Sequence, residues 1–435
     1  MNHVAKARQL ALDALTRARQ GLQVSDAIRT ALRGQNVTPA DRALMTQLVY
    51  GALRHRRFLD AWIRPWQRGP LDPEVQDILR MAFFQIGFLD RVPTYAAVNE
   101  AVEQTKTARP RAAATVNAIL RRGIGHRPDG LPLAVRYSHP DWLVARWERR
   151  FGRRVQDILE ADNRIPPLTV RVNPFRTTRA AVLKALQDLS IAARPSPYLP
   201  EAVEIPGAIW LEDFVPFQAG WVTVQDTSGM LVRYVLDPKP RDRVLDLAAG
   251  LGSKTTHLAE RTPEGEVITA VDVSASRLAL LAENLARLGL AARVRMVHGD
   301  ARVFAQQEAG QFDRVLIDVP CSGLGVLRRR VDARWRKRED DFAQLARLQG
   351  ELLDSAVTAT RPGGVIVYSA CSIEPEETVE VISEALNRRP DLGREPLESF
   401  LPHPDLRGAV VDDMFLSLPG QFDMDGFFIC RLKKR

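Results

Sequence analysis

Two of the chain's three cysteines stand just past the ends of apolar, strand-like runs: Cys321 in VLIDVPCSGLG (315–325) and Cys371 in VIVYSACSIE (365–374). A free cysteine is by default a small buried hydrophobe, and Cys430, inside FFIC, has only that reading. A thiol at a strand end has another use. With an ordinary pKa of about 8.5 it is partly thiolate near neutrality, and the thiolate is a nucleophile. Asp318, three residues before Cys321, sets a carboxyl group beside the same place, able to protonate or hydrogen-bond a ring nitrogen. The expected chemistry is covalent catalysis, in which sulfur adds to a substrate carbon and later leaves it.

The elements that must position these groups begin near residue 241. DRVLDLAAGLGSKTTHLAE, GEVITAVDVSASRLALLAENLARLGL, ARVRMVHGD, FDRVLIDVP and GGVIVYSA alternate apolar strands with helices, and DGFFICRLKK adds a late strand. The pattern predicts an α/β fold, a doubly wound, mostly parallel sheet covered on both faces. Ligands of such sheets bind outside the carboxyl ends of the strands. Asp246 to Gly252, Asp272, Asp300, Asp318 to Cys321 and Ser369 to Cys371 are thereby expected in one cleft.

Singly, each strand-end aspartate is more often a turn or cap residue than a ligand. As an ordered set they point to a nucleoside. Gly250 and Gly252 allow backbone to approach a ligand, and Ser253 can cap the next helix. Asp272 can accept from ribose hydroxyls and Asp300 from an exocyclic amine. The turn GLGSKT matches neither a P-loop nor a dinucleotide fingerprint, so a nucleoside without pyrophosphate fits better, and S-adenosyl-L-methionine is the expected cofactor. Beside a methyl donor a thiol has a definite task. C5 of cytosine is a poor nucleophile until a thiolate adds at C6; a base must then remove the C5 proton so that the sulfur is eliminated. The target base must also leave any helical stack to be reached.

Upstream, residues 1–135 carry helical periodicity without a strand pattern, with Thr38-Pro39 and Asp72-Pro73 as helix starts, and predict an α-helical bundle. Residues 136–222 mix a capped helix (137–152), an alternating strand (168–174) and a further helix (176–189), a small α/β subdomain. Residues 223–435 form the last domain. Charge is uneven: residues 1–140 hold 21 Lys+Arg and 11 Asp+Glu, a net +10, against −2 for the rest. Such a block suits a phosphate-rich partner. Residues 326–338, VLRRRVDARWRKR, hold seven basic residues, one acid and Trp335, and are expected to contact RNA by charge and stacking. No run is long and apolar enough to span a membrane, and charges interrupt the N-terminal stretch, so no secretory signal is expected. Three cysteines suit a reducing cytoplasm.

The sequence resembles the RNA cytosine-5 methyltransferases of the NOL1/NOP2/Sun family. DVPCSGLGVLRRRVDARW (318–335) is similar to the family's Asp-x-Pro-Cys motif and SACSIEPEE (369–377) to its Thr-Cys-Ser motif. VQDTSG (224–229) and DGFFICRL (425–432) are similar to two further family segments, and residues 96–122 to a NusB-type helical RNA-binding domain. With YSHPDWLVARW (137–147) between them, the whole resembles the bacterial 16S ribosomal RNA enzymes of the RsmB (Fmu) type. The resemblance implies that Cys371 is the nucleophile at C6, that Cys321 assists product release, and that Asp318 contacts the base near the cofactor. It implies that Asp272 and Asp300 bind ribose and adenine, and that Ala248, Ala249, Gly250, Leu251, Gly252, Ser253 and Lys254 wrap the methionine end. It further implies 16S RNA or a small-subunit assembly intermediate as partner, a monomer, and neither metal nor membrane.

Two departures stand out. The family's Cys-Ala-Ala-Pro-Gly-Gly-Lys is AAGLGSK here (248–254), with Ala248, Leu251 and Ser253 substituted. Its Arg-Arg-His-Pro-Asp stretch is RRRVD (328–332), with Arg330 and Val331 substituted. The first departure motivates an alternative, an RNA-binding assembly factor with an impaired methyltransferase core. In a DNA cytosine-5 methyltransferase, Cys321 would instead be the nucleophile.

Overall fold

The computed structural model describes residues 3–207, 209–210, 213–263, 265 and 267–435. These fall into two compact units, 1–164 with 330–336, and 165–329 with 337–435.

The first unit is helical. His3–Arg19, Val24–Leu32, Pro39–Arg54, Arg56–Ile63, Pro73–Phe88, Thr94–Ala108 and Ala113–Gly123 bury one apolar face each. The expected starts hold: Thr38 Oγ1 accepts from Asp41 N, and Asp72 from Glu74 N. The unit runs on past residue 135, taking in Asp141–Phe151 and a helix absent from the sequence reading, Val155–Asn163. The excursion 330–336 also belongs to it. Arg334, fully buried, donates to the carbonyls of Ser138 and Asp162 and to Asn163 Oδ1. Trp335 donates to the carbonyl of Leu53 at 3.0 Å, with the Arg56 guanidinium over its ring.

The second unit opens with a four-stranded antiparallel sheet, order β2-β3-β1-β4, formed by β1 (Leu168–Val172), β2 (Arg194–Pro195), β3 (Ala202–Ile205) and β4 (Val222–Val224). The larger sheet contains β5 (Val244–Asp246), β6 (Ile268–Asp272), β7 (Val294–His298), β8 (Phe312–Asp318), β9 (Thr360–Ala370), β10 (Leu392–Arg394), β11 (Val410–Val411), β12 (Met414–Ser417) and β13 (Phe427–Lys434). Its order is β11-β12-β13-β9-β8-β5-β6-β7, with β10 on β13. The strands from β9 through β8, β5 and β6 to β7 are parallel; β13 joins β9 antiparallel.

Alternation explains why both faces of the central strands are apolar. Val244, Leu316 and Val367 enter one core, while Leu245, Val315, Ile317, Ile366 and Tyr368 enter the other. Strand order reverses at β5, with β6 and β7 laid down on one side of it and β8 and β9 on the other, the point where doubly wound sheets open a ligand crevice. Arg171 on β1, fully buried, ties the small sheet to that crevice. It pairs with both Glu260 oxygens at 2.8 Å and donates to Thr256 Oγ1 and the Ser253 carbonyl at 2.9 Å. Losing one partner of so buried a pair costs about 3–5 kcal/mol.

Candidate active site

Strand register brings the two cysteines together. Asp318 at the end of β8 lies opposite Ser369 on parallel β9, so the chain leaves both strands side by side. Three residues on from Asp318 and two from Ser369, the sulfurs of Cys321 and Cys371 are 3.1 Å apart. Both cysteines are half-buried and neither is in a disulfide. Cys430 is fully buried in the core, as its bland reading required.

The turns carrying them are bonded backbone to backbone. Val319 N donates to the Ser369 carbonyl, Gly325 N to the Cys371 carbonyl, and Gly426 N to the Gly325 carbonyl. A Cβ on Gly325 would sit 2.1 Å from the Gly426 oxygen and 3.1 Å from the Cys371 oxygen, so only glycine allows this approach.

The Cys321 thiol is pushed well up, by its hydrogen bond with Cys371, then by burial, then by the charges of Cys371, Glu377 and Asp318. A proton held on Cys321 stabilises negative charge on Cys371.

Asp318 is gripped from two sides. Lys254 Nζ lies 2.6 Å from Oδ2, and Ser369 Oγ donates to Oδ1 at 2.8 Å. Lys254, expected only as part of the glycine turn, thus reaches across to the cysteine side, its ammonium also over the Phe427 ring.

The glycine turn follows β5. Ala249 N donates to the Val271 carbonyl, Gly250 N to Asp272 Oδ2 at 2.8 Å, and Ser274 N to Asp272 Oδ1 at 2.8 Å. Gly250 has φ +56° and open space where a Cβ would project. Gly252 is different: its missing Cβ makes room for Leu281 Cδ1 at 2.1 Å, so it serves packing rather than ligand approach. Gly252 is also the residue before the helix Ser253–Ala259, and Ser253, expected as cap, is its first residue. Asp300 caps the helix Ala301–Gln307 and pairs with Arg302, which holds its carboxyl down at about 2.

Asp246, expected at the cleft but given no role from sequence, ends β5 with one oxygen on Thr255 Oγ1 at 2.7 Å and the other buried without a partner. Burial, offset in part by Thr255 and reinforced by Asp318, raises its carboxyl to about 6. An orphaned carboxylate oxygen, the open face at Gly250 and the exposed Leu251 and Val273 together fit a ligand with hydroxyls, an apolar ring and a cationic end.

The basic stretch 326–338 departs from expectation. Arg328, 2% exposed, bonds Asp425 at 2.5 Å, and Arg329 bonds Asp226 at 2.7 Å and Asp425 at 2.8 Å. With Arg334 and Trp335 also engaged, most of this stretch is internal scaffold and only Arg330, Arg336 and Arg338 are exposed. The guanidiniums satisfy buried carboxylates and carbonyls, and the stacking role expected of Trp335 is replaced by packing.

Comparison with known proteins follows this architecture. The family model for the 16S rRNA methyltransferase RsmB/F matches residues 233–433, that for the NusB family 5–124, and that for an RsmF/B-like ferredoxin-like domain 139–211. The ribosomal RNA small subunit methyltransferase B of Salmonella arizonae is 37% identical over 410 residues, 92% of each chain. The solved structure of PH0851 covers 99% of both chains at 26% identity and a TM-score of 0.85. A methyltransferase homolog protein from Pyrococcus horikoshii covers 70% of this chain and 98% of its own, at 28% identity and a TM-score of 0.59. Identity at this level across nearly the full length, with all three segments in order, places the chain in the RsmB/F family of 16S ribosomal RNA methyltransferases.

Proposed function

We propose that this chain methylates C5 of a cytosine in 16S ribosomal RNA through a covalent bond between Cys371 and C6. The observation that carries the reading is the pair of sulfurs 3.1 Å apart at adjacent strand ends. S-adenosyl-L-methionine is the cofactor of this ribosomal RNA methyltransferase, and when bound it supplies an electrophilic methyl group on a sulfonium. In this reading Asp272 takes its ribose, Asp246 and residues 248–254 its methionine end and Asp300 its adenine; the strand-end positions of the three aspartates and the unpartnered Asp246 oxygen support it.

The chain's own groups then act in sequence. The electron pair of the Cys371 thiolate forms a bond to C6, and the C5=C6 π pair moves onto C5. The Asp318–Lys254 pair meets the polar edge of the base and offsets the charge the ring gains. Once C5 carries both hydrogen and methyl, a base takes the proton, the C5=C6 bond reforms, and the C6–S pair leaves with Cys371. Cys321 suits that role. Bond formation at Cys371 removes two of the influences that hold the Cys321 proton, its hydrogen bond and its charge, so that Cys321 can give this proton up to solvent and take the one on C5. The reaction returns the proton from C5 to Cys321 and releases one proton overall.

The test is product analysis. Incubated with 16S RNA or small-subunit particles and methyl-labelled cofactor, the protein is expected to yield labelled 5-methylcytidine, read by nucleoside digestion and bisulfite sequencing. Label on any other nucleoside overturns the reading.

The helical unit is proposed as the RNA grip. Its helix Ala113–Gly123 ends in exposed Arg121 and Arg122. Each phosphate contact contributes about 0.7–0.9 to the slope of log affinity against log salt, so Arg121→Ala/Arg122→Ala is expected to flatten that slope by about 1.5. A filter-binding salt titration reads it, and an unchanged slope removes these two residues from the interface.

A further inference from the structure

Each catalytic cysteine is followed by a serine, Ser322 and Ser372, and one buried carboxylate holds both. Glu377, fully buried, accepts from Ser322 N at 2.7 Å and Gln349 Nε2 at 3.3 Å on Oε1. Its Oε2 accepts from Ser322 Oγ and Ser372 Oγ, each at 2.5 Å. The two hydroxyls are 3.3 Å apart. The mounting behind is equally fixed: Tyr368 OH donates to the Glu377 carbonyl at 2.7 Å, and Gln349 Nε2 to the Pro320 carbonyl at 2.9 Å.

Holding two turns together does not by itself need a charge. The two serine hydroxyls could bond one another, and a buried carboxylate is costly to desolvate even when fully hydrogen-bonded. All four donors to Glu377 are neutral groups. A negative charge kept in such a place, one residue behind each sulfur, acts on the sulfurs. Glu377 contributes to holding the proton on Cys321, together with Cys371 and Asp318.

We propose that Glu377 is a positioning residue for the methyl-transfer chemistry: it clamps the two cysteine turns at contact distance and sets a carboxylate behind both sulfurs, with Cys371 as nucleophile. The proposal rests on the assignment of Cys371 as the attacking group. Glu377 touches neither base nor cofactor in this role; it acts through the sulfurs.

Glu377→Gln keeps the shape and one accepting oxygen but loses the charge and half the acceptor capacity. In the full-length enzyme kcat is expected to fall roughly 30-fold, the scale of a sub-ångström misplacement of a reacting group. KM for RNA and the calorimetric affinity for S-adenosyl-L-methionine should stay within about twofold. In a Cys321→Ala background, where only the clamp is left to act, the same substitution should slow formation of the protein–RNA adduct by less than this factor. Ser372→Ala removes one tether and keeps the charge, and is expected to lower kcat about threefold. A Glu377→Gln enzyme with wild-type kcat overturns the proposal. So does a loss of rate matched by lost cofactor affinity, which marks a general structural role. If Glu377→Gln does not fold, an unchanged kcat in Ser372→Ala overturns it, and a threefold fall with unchanged KM supports it. Cys371→Ala run alongside separates the two levels. Activity surviving there removes the underlying reading, whereas an inactive Cys371→Ala beside a fully active Glu377→Gln removes only the role of Glu377.

Discussion

Cys371→Ala is expected to abolish methyl transfer, by about 10³-fold or more, while leaving cofactor affinity within twofold of wild type. The reasoning is local. Cytosine C5 gains nucleophilic character only when a sulfur occupies C6, so without that sulfur the reaction loses its route rather than part of its rate. The cofactor groups lie elsewhere. Asp272, Asp246 and the glycine turn are anchored by bonds within β5, β6 and the helix Ser253–Ala259, and none of these bonds passes through Cys371. The substitution removes a half-buried side chain and keeps the Cys371 carbonyl that Gly325 N reaches, so the turn is retained. Labelled-methyl transfer to RNA measures the loss, and calorimetry with S-adenosyl-L-methionine measures what remains. Full activity would transfer the nucleophile's role to Cys321, as in a DNA-type mechanism. Loss of cofactor binding together with activity would mean that the turn had collapsed and that the sulfur had not been tested.

Legibility differed between the parts of this site for physical reasons. The cysteines could be found because a parallel sheet writes its central strands as unbroken apolar runs, and whatever follows such a run must lie at the crevice. Asp318 and Asp272 were expected by the same rule, Lys254 only through the family resemblance, and register between β8 and β9 set the two cysteine turns side by side. Glu377 was invisible as a functional group. An acid after a proline reads as helix-start chemistry, and only folding shows that its side chain turns back under both cysteines. A signal did exist: both strand-end cysteines are followed by serine, and two hydroxyls brought together by register need a common acceptor. Gly252 and Asp300 carry a second use that their residue types do not reveal: Leu281 packs where a Cβ on Gly252 would lie, and Arg302 pairs with Asp300. The arginines of 328–334 were hidden in the same way, because sequence counts charge but does not reveal the carboxylates and carbonyls waiting for it. Short antiparallel strands such as β10, β11 and β12, two to four residues long, carry too little periodicity to be read at all.

Cys321→Ala should give a different failure, a denaturant-stable protein–RNA adduct that accumulates under turnover conditions toward one RNA per protein while free methylated product falls by about 10²-fold or more. The order of events explains it. Cys371 can still add to C6, since its own sulfur is untouched, and C5 can still be methylated. The step that stalls is removal of the C5 proton, for which the sulfur 3.1 Å away is proposed as the base. In the intact pair the Cys321 thiol is pushed up by its hydrogen bond with Cys371, by burial and by the charges of Cys371, Glu377 and Asp318. Carbon–sulfur bond formation cancels the two influences of Cys371, so Cys321 yields its proton more readily once the nucleophile has been used. Alanine breaks this sequence at its last stage. A denaturing gel with end-labelled RNA, run with and without cofactor, reads the adduct, and the double variant Cys321→Ala/Cys371→Ala should show none. An adduct from Cys371→Ala instead would reverse the two roles. Wild-type product release from Cys321→Ala would assign the proton to another base, and the contact between the sulfurs would then serve only to lower the thiol pKa of Cys371.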